Sequence, residues 1–404
     1  MSENPSKYLG KELEYLQKVL MSQQWTSTSG NWNQLLEEHF CDKFNAEYAV
    51  TMNSGTSTLH AALLAVGVRP GDEVISPALT VIMDTSATIH AGAIPVYADI
   101  DPETFNIDPK DLERKITPKT KAIIIVPLYG LPCDMDEIMA ISKKHNIPVI
   151  EDNAQCFLST YKGQLIGSFG AAASYSFENS KHMSCGEGGI ITTNNEAYAE
   201  SIRKTSNHGF KNSTAKSGRT KLNLDVFQHP EYKRHSEIGW NYRLSEFNAA
   251  IAVAQLERLE ELVNLRVQVS EMFLDVIRQT ACTYLIPQKQ SDDRVNSYWT
   301  FTVLYEGLEK KGISWQEFRK QYISNGGDGI YAAWSVPYLE PVMTERAFVK
   351  MNPSVYSDVH YKQGLCPVAE SIQPKIMQFK NNYRDLELAK VKVRALKKTI
   401  LHFG

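Results

Sequence analysis

Between about residues 47 and 200, short β-rich runs alternate with longer amphipathic ones, and this alternation restricts the fold more than any other feature of the chain. Residues 46–53 (AEYAVTMN), 72–77 (DEVISP), 94–99 (IPVYAD), 121–128 (KAIIIVPL), 147–152 (IPVIED), 173–177 (ASYSF) and 188–194 (GGIITTN) read as strands. Between them, residues 56–67, 80–92 and 136–146 carry apolar side chains at helical spacing. The strands are nearly continuous apolar runs, as expected when helices cover both faces of a sheet. Alternating β and α units predict an α/β fold around a mostly parallel central sheet.

After residue 200 the rhythm changes. Residues 208–237 are polar and turn-rich, and Lys211, Lys216, Arg219, Lys221, Lys233 and Arg234 outnumber Asp225 and Glu231. A loop this long is either functional or disordered. Residues 244–277 then read as one long amphipathic helix leading into a second, smaller unit, where 298–305 (YWTFTVLY) reads as a strand. The basic helix pattern at 390–401 has apolar residues at helical spacing, which makes it a solvated face. The expected division is a large domain over residues 1–250 and a linker helix with a small C-terminal α/β domain over 251–404. Within the former, residues 1–30 are expected near the active site or the small domain.

Composition narrows the function. A net charge of −3 gives no general attraction to nucleic acid or to an anionic membrane surface. The longest apolar run, Ala122–Leu128, is far short of the roughly 20 residues that span a bilayer. The polar N-terminus lacks the apolar stretch of a signal peptide. Cys41, Cys133, Cys156, Cys185, Cys282 and Cys366 are scattered, with neither CxxC nor metal spacing, so free thiols in a reducing cytoplasm are expected and no metal. None of the 10 histidines falls at ligand spacing either.

Three segments carry chemistry. Asn53-Ser-Gly-Thr-Ser-Thr58 follows a strand and opens a helix. Gly55 allows a tight turn, and Thr56 and Ser57 offer hydroxyls and free N–H groups to a phosphate, although the same residues cap helices without any ligand. Val149-Ile-Glu-Asp152-Asn-Ala-Gln155 ends an apolar strand in two acids, at the end of a parallel sheet where ligands sit. Asp152 there could bind a metal, cap a helix or hold a positive ring nitrogen. Ser176-Phe-Glu-Asn-Ser-Lys181 puts a lysine in a short polar loop before Gly186-Glu-Gly-Gly189. A lone lysine is ordinarily a surface residue, but one held inside a site suits Schiff-base formation.

Taken together, the three fit pyridoxal 5′-phosphate, which needs a phosphate cup, a lysine and a carboxylate partner for its pyridine nitrogen. Here the chain resembles the DegT/DnrJ/EryC1/StrS sugar aminotransferases. The resemblance extends over nearly the whole chain, through Trp25-Thr-Ser-Thr-Ser-Gly30, Asn53-Ser-Gly-Thr56, Pro70-Gly-Asp-Glu-Val-Ile75, Ile100-Asp-Pro-Glu-Thr-Phe-Asn-Ile-Asp108, Glu151-Asp152, Lys181, Gly186-Glu-Gly-Gly189 and Gly239-Trp-Asn-Tyr-Arg-Leu-Ser245.

The resemblance implies a PLP-dependent transferase of fold type I. It implies Lys181 as the catalytic Schiff-base lysine, Asp152 as the partner of the pyridine nitrogen and Gln155 beside the 3′-oxygen. Gly55, Thr56, Ser57 and Ser176 would hold the phosphate. Asn241 would reach the cofactor of a neighbouring subunit, which implies a homodimer with shared sites; its alternative reading is a turn residue. Val81, in Pro77-Ala-Leu-Thr-Val81, stands where the family commonly has a ring-stacking aromatic.

The implied substrates are a nucleotide-linked keto-sugar and an amino donor, L-glutamate. They would be contacted by residues 25–32, the 208–237 loop and Tyr331–Trp334. The loop would cover the site and meet a substrate phosphate, or else is simply solvated surface. Two other readings are a sugar 3-dehydratase of the same family, whose members carry histidine in the lysine's place, and a non-catalytic PLP-binding homologue. The retained Lys181 and Asp152 speak against both.

Overall fold

The computed structural model describes residues 5–217 and 223–404. The seven expected strands form within three residues of the predicted limits: β1 (Tyr48–Met52), β2 (Glu73–Pro77), β3 (Ile94–Ala98), β4 (Thr120–Ile125), β5 (Val149–Asp152), β8 (Ala172–Ser176) and β9 (Gly189–Thr193). Two short strands, β6 (Thr160–Tyr161) and β7 (Gln164–Leu165), make a separate ribbon with Arg294–Val295. The central sheet has the order β1-β9-β8-β5-β4-β2-β3. β2 is parallel to β3 and β4, β4 to β5, and β5 to β8, whereas β9 runs antiparallel to both of its neighbours. The C-terminal ends of β1, β2, β5 and β8 therefore lie along one edge of the sheet, and every candidate segment leaves the sheet there.

The isoleucine run in β4 shows why the sheet is covered on both faces. Successive strand residues point to opposite sides, and Ile124 packs with Val50, Ile150 and Leu59 on one side while Ile123 and Ile125 pack with Met135 and Ile138 on the other. A second, four-stranded antiparallel sheet joins Leu285–Pro287, Phe301–Tyr305, Ile376–Phe379 and Tyr331–Ala332. Its core includes Phe273 stacked on Phe301 at 5.3 Å between centroids. The helices Leu259–Gln279 and Leu386–Phe403 bury their apolar stripes against it.

Two expectations change. Residues 244–277 are two helices, Glu246–Leu256 and Leu259–Gln279, rather than one. The break falls just before the second helix, at Arg258, whose backbone is non-helical and whose guanidinium lies on Glu261 at 2.7 and 2.9 Å and on the Lys7 carbonyl at 3.2 Å. No glycine or proline marks the break, so it is silent in the sequence. The basic segment, read as a loop, also holds local structure among its described residues. It contains the helix Leu224–Gln228, Arg234 lies over the Phe227 ring at 5.0 Å and Lys211 over Tyr232 at 4.3 Å. Two of its cations are thus spent on its own aromatic rings; Arg219 and Lys221 lie outside the described residues. The six cysteines are free, four of them buried.

Candidate active site

The helix Gly55–Ala65 begins directly after β1. Ser54 caps it, its Oγ accepting the Ser57 N–H at 3.1 Å, while the Ser57 hydroxyl donates to Asn53 Oδ1 at 2.8 Å. The first-turn N–H groups of such a helix lack intrahelical acceptors and concentrate positive potential. Gly55 is required here by contact: a Cβ would stand 2.9 Å from the Ser176 Cβ. Gly189 answers the same need from below, since its Cβ would meet the Ser54 carbonyl at 2.8 Å. These two bare positions let the helix terminus settle onto the end of β8. Gly55, Thr56, Ser57 and Ser176 are thereby brought together.

At the end of β5 the strand period separates the two acids. Glu151 turns to one face, where the N–H groups of Gly167, Phe169 and Gly170 donate to it at 2.6, 2.9 and 2.6 Å. It is committed to holding that loop. Asp152 turns to the other face, accepts the Ala154 N–H at 3.0 Å, and lies in the field of Lys181 and of a second acid, Asp84. Burial pushes its carboxyl above the usual range, against the pull of Ala154, Lys181 and Asp84. Gln155 is buried, and its Oε1 accepts the Tyr129 N–H at 2.9 Å. That acceptor role fixes the amide and leaves its NH2 as a donor with no hydrogen bond among the described residues.

Lys181 sits in a loop shaped by Glu178, whose carboxylate accepts the Ser180 N–H at 2.9 Å while its carbonyl accepts the Lys181 N–H at 3.0 Å. The ammonium lies over the Trp299 ring at 5.0 Å. Burial, first, and the Arg266 charge lower its pKa, while Asp152, Glu178 and Asp84 oppose the fall. A lysine so placed loses its proton more readily than a solvated one. His182 turns away: its Nε2 meets the Ser297 carbonyl at 3.0 Å and its ring lies against Phe157.

From the helix Leu259–Gln279, Arg266 donates to the carbonyls of Ser180 at 2.7 Å, Lys181 at 3.0 Å and Trp299. Trp299 Nε1 donates to Ser180 as well, at 3.1 Å. Beside them opens a cavity of about 420 Å³ whose walls include Ser180, Arg266, Trp299, Tyr331, Trp334 and Lys380. Trp299 and Trp334 stack at 5.5 Å. The N-terminal segment also reaches this loop, Lys7 Nζ donating to the Asn179 carbonyl and the Tyr8 hydroxyl to Ser184 Oγ at 3.4 Å.

The other two candidates stand differently. Val81 is half-buried at the start of the turn before the helix Met83–His90. Asn241 is exposed, in a segment bridged antiparallel to Asn207, and joins the cluster only through its neighbour Tyr242, whose carbonyl accepts the Asn53 N–H at 2.8 Å. Asp84, Arg266 and Trp299 escaped the sequence reading. An arginine inside an apolar helix stripe (Leu262, Val263, Arg266, Val269) and a single acid in Met83–His90 were the available signals. Among the described residues there is no group of His, Cys, Asp and Glu that could hold a metal, and no helix long and apolar enough to cross a membrane.

Known proteins resemble this chain in both sequence and fold. Over residues 8–381 the chain matches the sequence profile of the DegT/DnrJ/EryC1/StrS aminotransferase family. It is 36% identical over 302 residues to the GDP-perosamine synthase of Escherichia coli O157:H7, an alignment covering 75% of this chain and 77% of that protein. It is 37% identical over 284 residues to the spore coat polysaccharide biosynthesis protein SpsC of Bacillus subtilis (strain 168), covering 70% of each. The X-ray structure of the aminotransferase from Psychrobacter cryohalolentis superposes with a TM-score of 0.85 at 28% identity, covering 100% of this chain and 99% of that one. That of S. venezuelae DesV superposes with a TM-score of 0.81 at 26% identity, covering 96% and 94%. The chain belongs to the DegT/DnrJ/EryC1/StrS aminotransferase family, and it is a transaminase whose cofactor is pyridoxal 5′-phosphate.

Proposed function

We propose that this transaminase moves an amino group from an amino acid, L-glutamate, to the ketone carbon of a nucleotide-linked sugar. The observation that carries the reading is the buried Lys181 amine, over the Trp299 ring and in the field of the Asp152 carboxylate, at the sheet edge where the Gly55 helix begins. The nucleotide-linked part rests on the similarity to GDP-perosamine synthases and on the aromatic cavity beside the lysine.

The residues present suit the cofactor. A bare helix terminus at Gly55 offers N–H groups and the Thr56, Ser57 and Ser176 hydroxyls to a phosphate. Asp152 offers a buried carboxylate to the ring nitrogen, and Gln155 its amide NH2 to a ring oxygen. The half-buried Val81 offers an aliphatic surface where an aromatic would stack. When bound, the cofactor supplies an electron sink for the carbanion left as a carbon loses its proton. Lys181 Nζ, its pKa lowered by burial, takes the Cα proton of the amino donor. In the second half-reaction it delivers a proton to the sugar carbon that acquires nitrogen. Trp299 and Trp334 wall the cavity and keep water from the reacting carbon.

In this reading residues 1–250 carry the cofactor and 251–404 close the site over it. The active unit is a homodimer in which Asn241 serves the partner's cofactor. Ile238 is 87% exposed and Trp240, next to Asn241, is partly exposed, apolar surface that a second subunit would cover.

The test is an absorbance spectrum of the purified protein before and after L-glutamate, beside Lys181→Ala, followed by assay with GDP-linked keto-sugars. Conversion of the bound cofactor by glutamate in the wild type alone supports the reading. An unchanged spectrum removes glutamate as the donor, and turnover of unlinked keto-sugars only would remove the nucleotide.

A further inference from the structure

Asp84 has no part in the mechanism so far, yet it is a completely buried acid in the second position of the helix Met83–His90. The Thr80 hydroxyl donates to its Oδ2 at 2.7 Å. Its other oxygen, Oδ1, is buried with no hydrogen-bond partner among the described residues. The group that Asp84 faces is the carboxyl of Asp152. Also bearing on the pair are Lys181, from the loop after β8, and Tyr97 of β3, whose hydroxyl is tied to Thr85 at 2.9 Å.

We infer that Asp84 is a positioning residue for Asp152: the two carboxyl groups hold one proton between them, carried on Asp84 Oδ1 and donated to the Asp152 carboxylate.

The geometry decides where the proton sits. Two carboxylates confined in one dry site cannot both ionise. The Thr80 hydroxyl has a single proton and spends it on Oδ2, which makes Oδ2 an acceptor and leaves Oδ1 as the oxygen that can bear hydrogen. The negative charge belongs on Asp152, which has the Ala154 N–H at 3.0 Å and the nearby ammonium of Lys181 to stabilise it. Burial and the Asp152 charge together drive the Asp84 carboxyl well above the ordinary carboxylate range. A neutral Asp84 then donates to Asp152, fixes the orientation of its carboxylate and spreads its charge. On the reading that Asp152 partners the cofactor's ring nitrogen, Asp84 tunes how firmly that nitrogen keeps its proton.

The test begins without cofactor. Infrared spectra of the apoprotein at neutral pH, with and without ¹³C-labelled aspartate, should show an aspartic acid carbonyl band in the wild type that Asp84→Asn removes. Glu151, also buried, is excluded by the label. Asp84→Asn retains a donor for Asp152 and an acceptor for Thr80, so it should bind pyridoxal 5′-phosphate within about threefold of wild type, whereas Asp84→Ala should bind about tenfold more weakly. Absence of the band, or an Asn variant as weak as the Ala variant, overturns the proposal. Asp152→Asn separates the two readings: wild-type cofactor affinity in that variant would remove Asp152 from the ring nitrogen, while the infrared band still decides where the proton lies.

Discussion

Arg266 reaches from the helix Leu259–Gln279 to the backbone carbonyl of Lys181, at 3.0 Å, across 85 residues of sequence. With Ser180 and Trp299 it forms a three-carbonyl clasp that ties the lysine loop to the second sheet. The guanidinium is buried, and the loss of solvation is compensated by backbone dipoles.

Arg266→Met keeps the stem and removes the clasp. The orphaned carbonyls should cost about 2–4 kcal/mol of stability. Because the loop then holds Lys181 less rigidly, kcat should fall more than KM rises. Denaturant melts and steady-state kinetics on the same sample measure both, and a stability loss with unchanged kcat would make the clasp purely structural.

Trp334 is 39% exposed and stacks on Trp299 at the cavity wall. Trp334→Ala should raise KM for the sugar substrate by about three- to tenfold, the worth of one aromatic stack, with the amino-donor half-reaction unaffected. Half-reaction spectra with L-glutamate alone provide the control.

On the proposed shared site, Asn241→Asp sets a carboxylate near the partner's cofactor phosphate and should weaken cofactor binding by about tenfold. Mixed dimers offer the sharper measurement. A Lys181→Ala subunit paired with an Asn241→Asp subunit has one intact site, so at limiting cofactor the co-refolded mixture should be more active than either variant alone. No gain, together with a monomer mass by light scattering, would eliminate the shared-site homodimer.

His60 gives a pH signature. Its ring is buried against Trp240, with Nδ1 at 3.0 Å from the Tyr242 hydroxyl and Nε2 unpartnered among the described residues. Burial, with the His90 charge behind it, lowers its pKa from 6.5 to about 4. The unfolded chain therefore binds a proton that the folded chain refuses, and stability falls as pH drops from about 6.5 to about 4. The full effect is about 3 kcal/mol at the acid limit. His182, buried and lowered in the same direction, adds to the slope. His60→Gln should make the melting temperature less dependent on pH across that window by one proton's worth, and an unchanged slope would mean that His60 is solvated.

The strands and the order of the candidate segments were legible because a parallel α/β sheet writes itself locally. Ile123, Ile124 and Ile125 need no distant partner to declare a strand covered on both faces. Asn53-Ser-Gly-Thr56 likewise announces a helix N-terminus by its residue types alone. The same local reading made one helix of residues 244–277, because the break at Arg258 carries no helix-breaking residue and is accompanied only by contacts to Lys7 and Glu261 that form in the folded chain. It also left the basic segment open between cover and surface, since the pairing of Arg234 with Phe227 depends on a fold-back.

What the sequence determined by itself is thus the sheet, the helix terminus, the lysine, the aspartate and the order in which they meet one edge. The tertiary structure alone decided which loop Glu151 holds, which second acid stands behind Asp152 and which arginine secures the lysine loop. Strand and helix periods are properties of neighbours in sequence, but burial and charge at Asp84, Asp152, Lys181 and Arg266 arise from groups brought together over tens to hundreds of residues. A pattern confined to a few consecutive residues cannot encode that proximity.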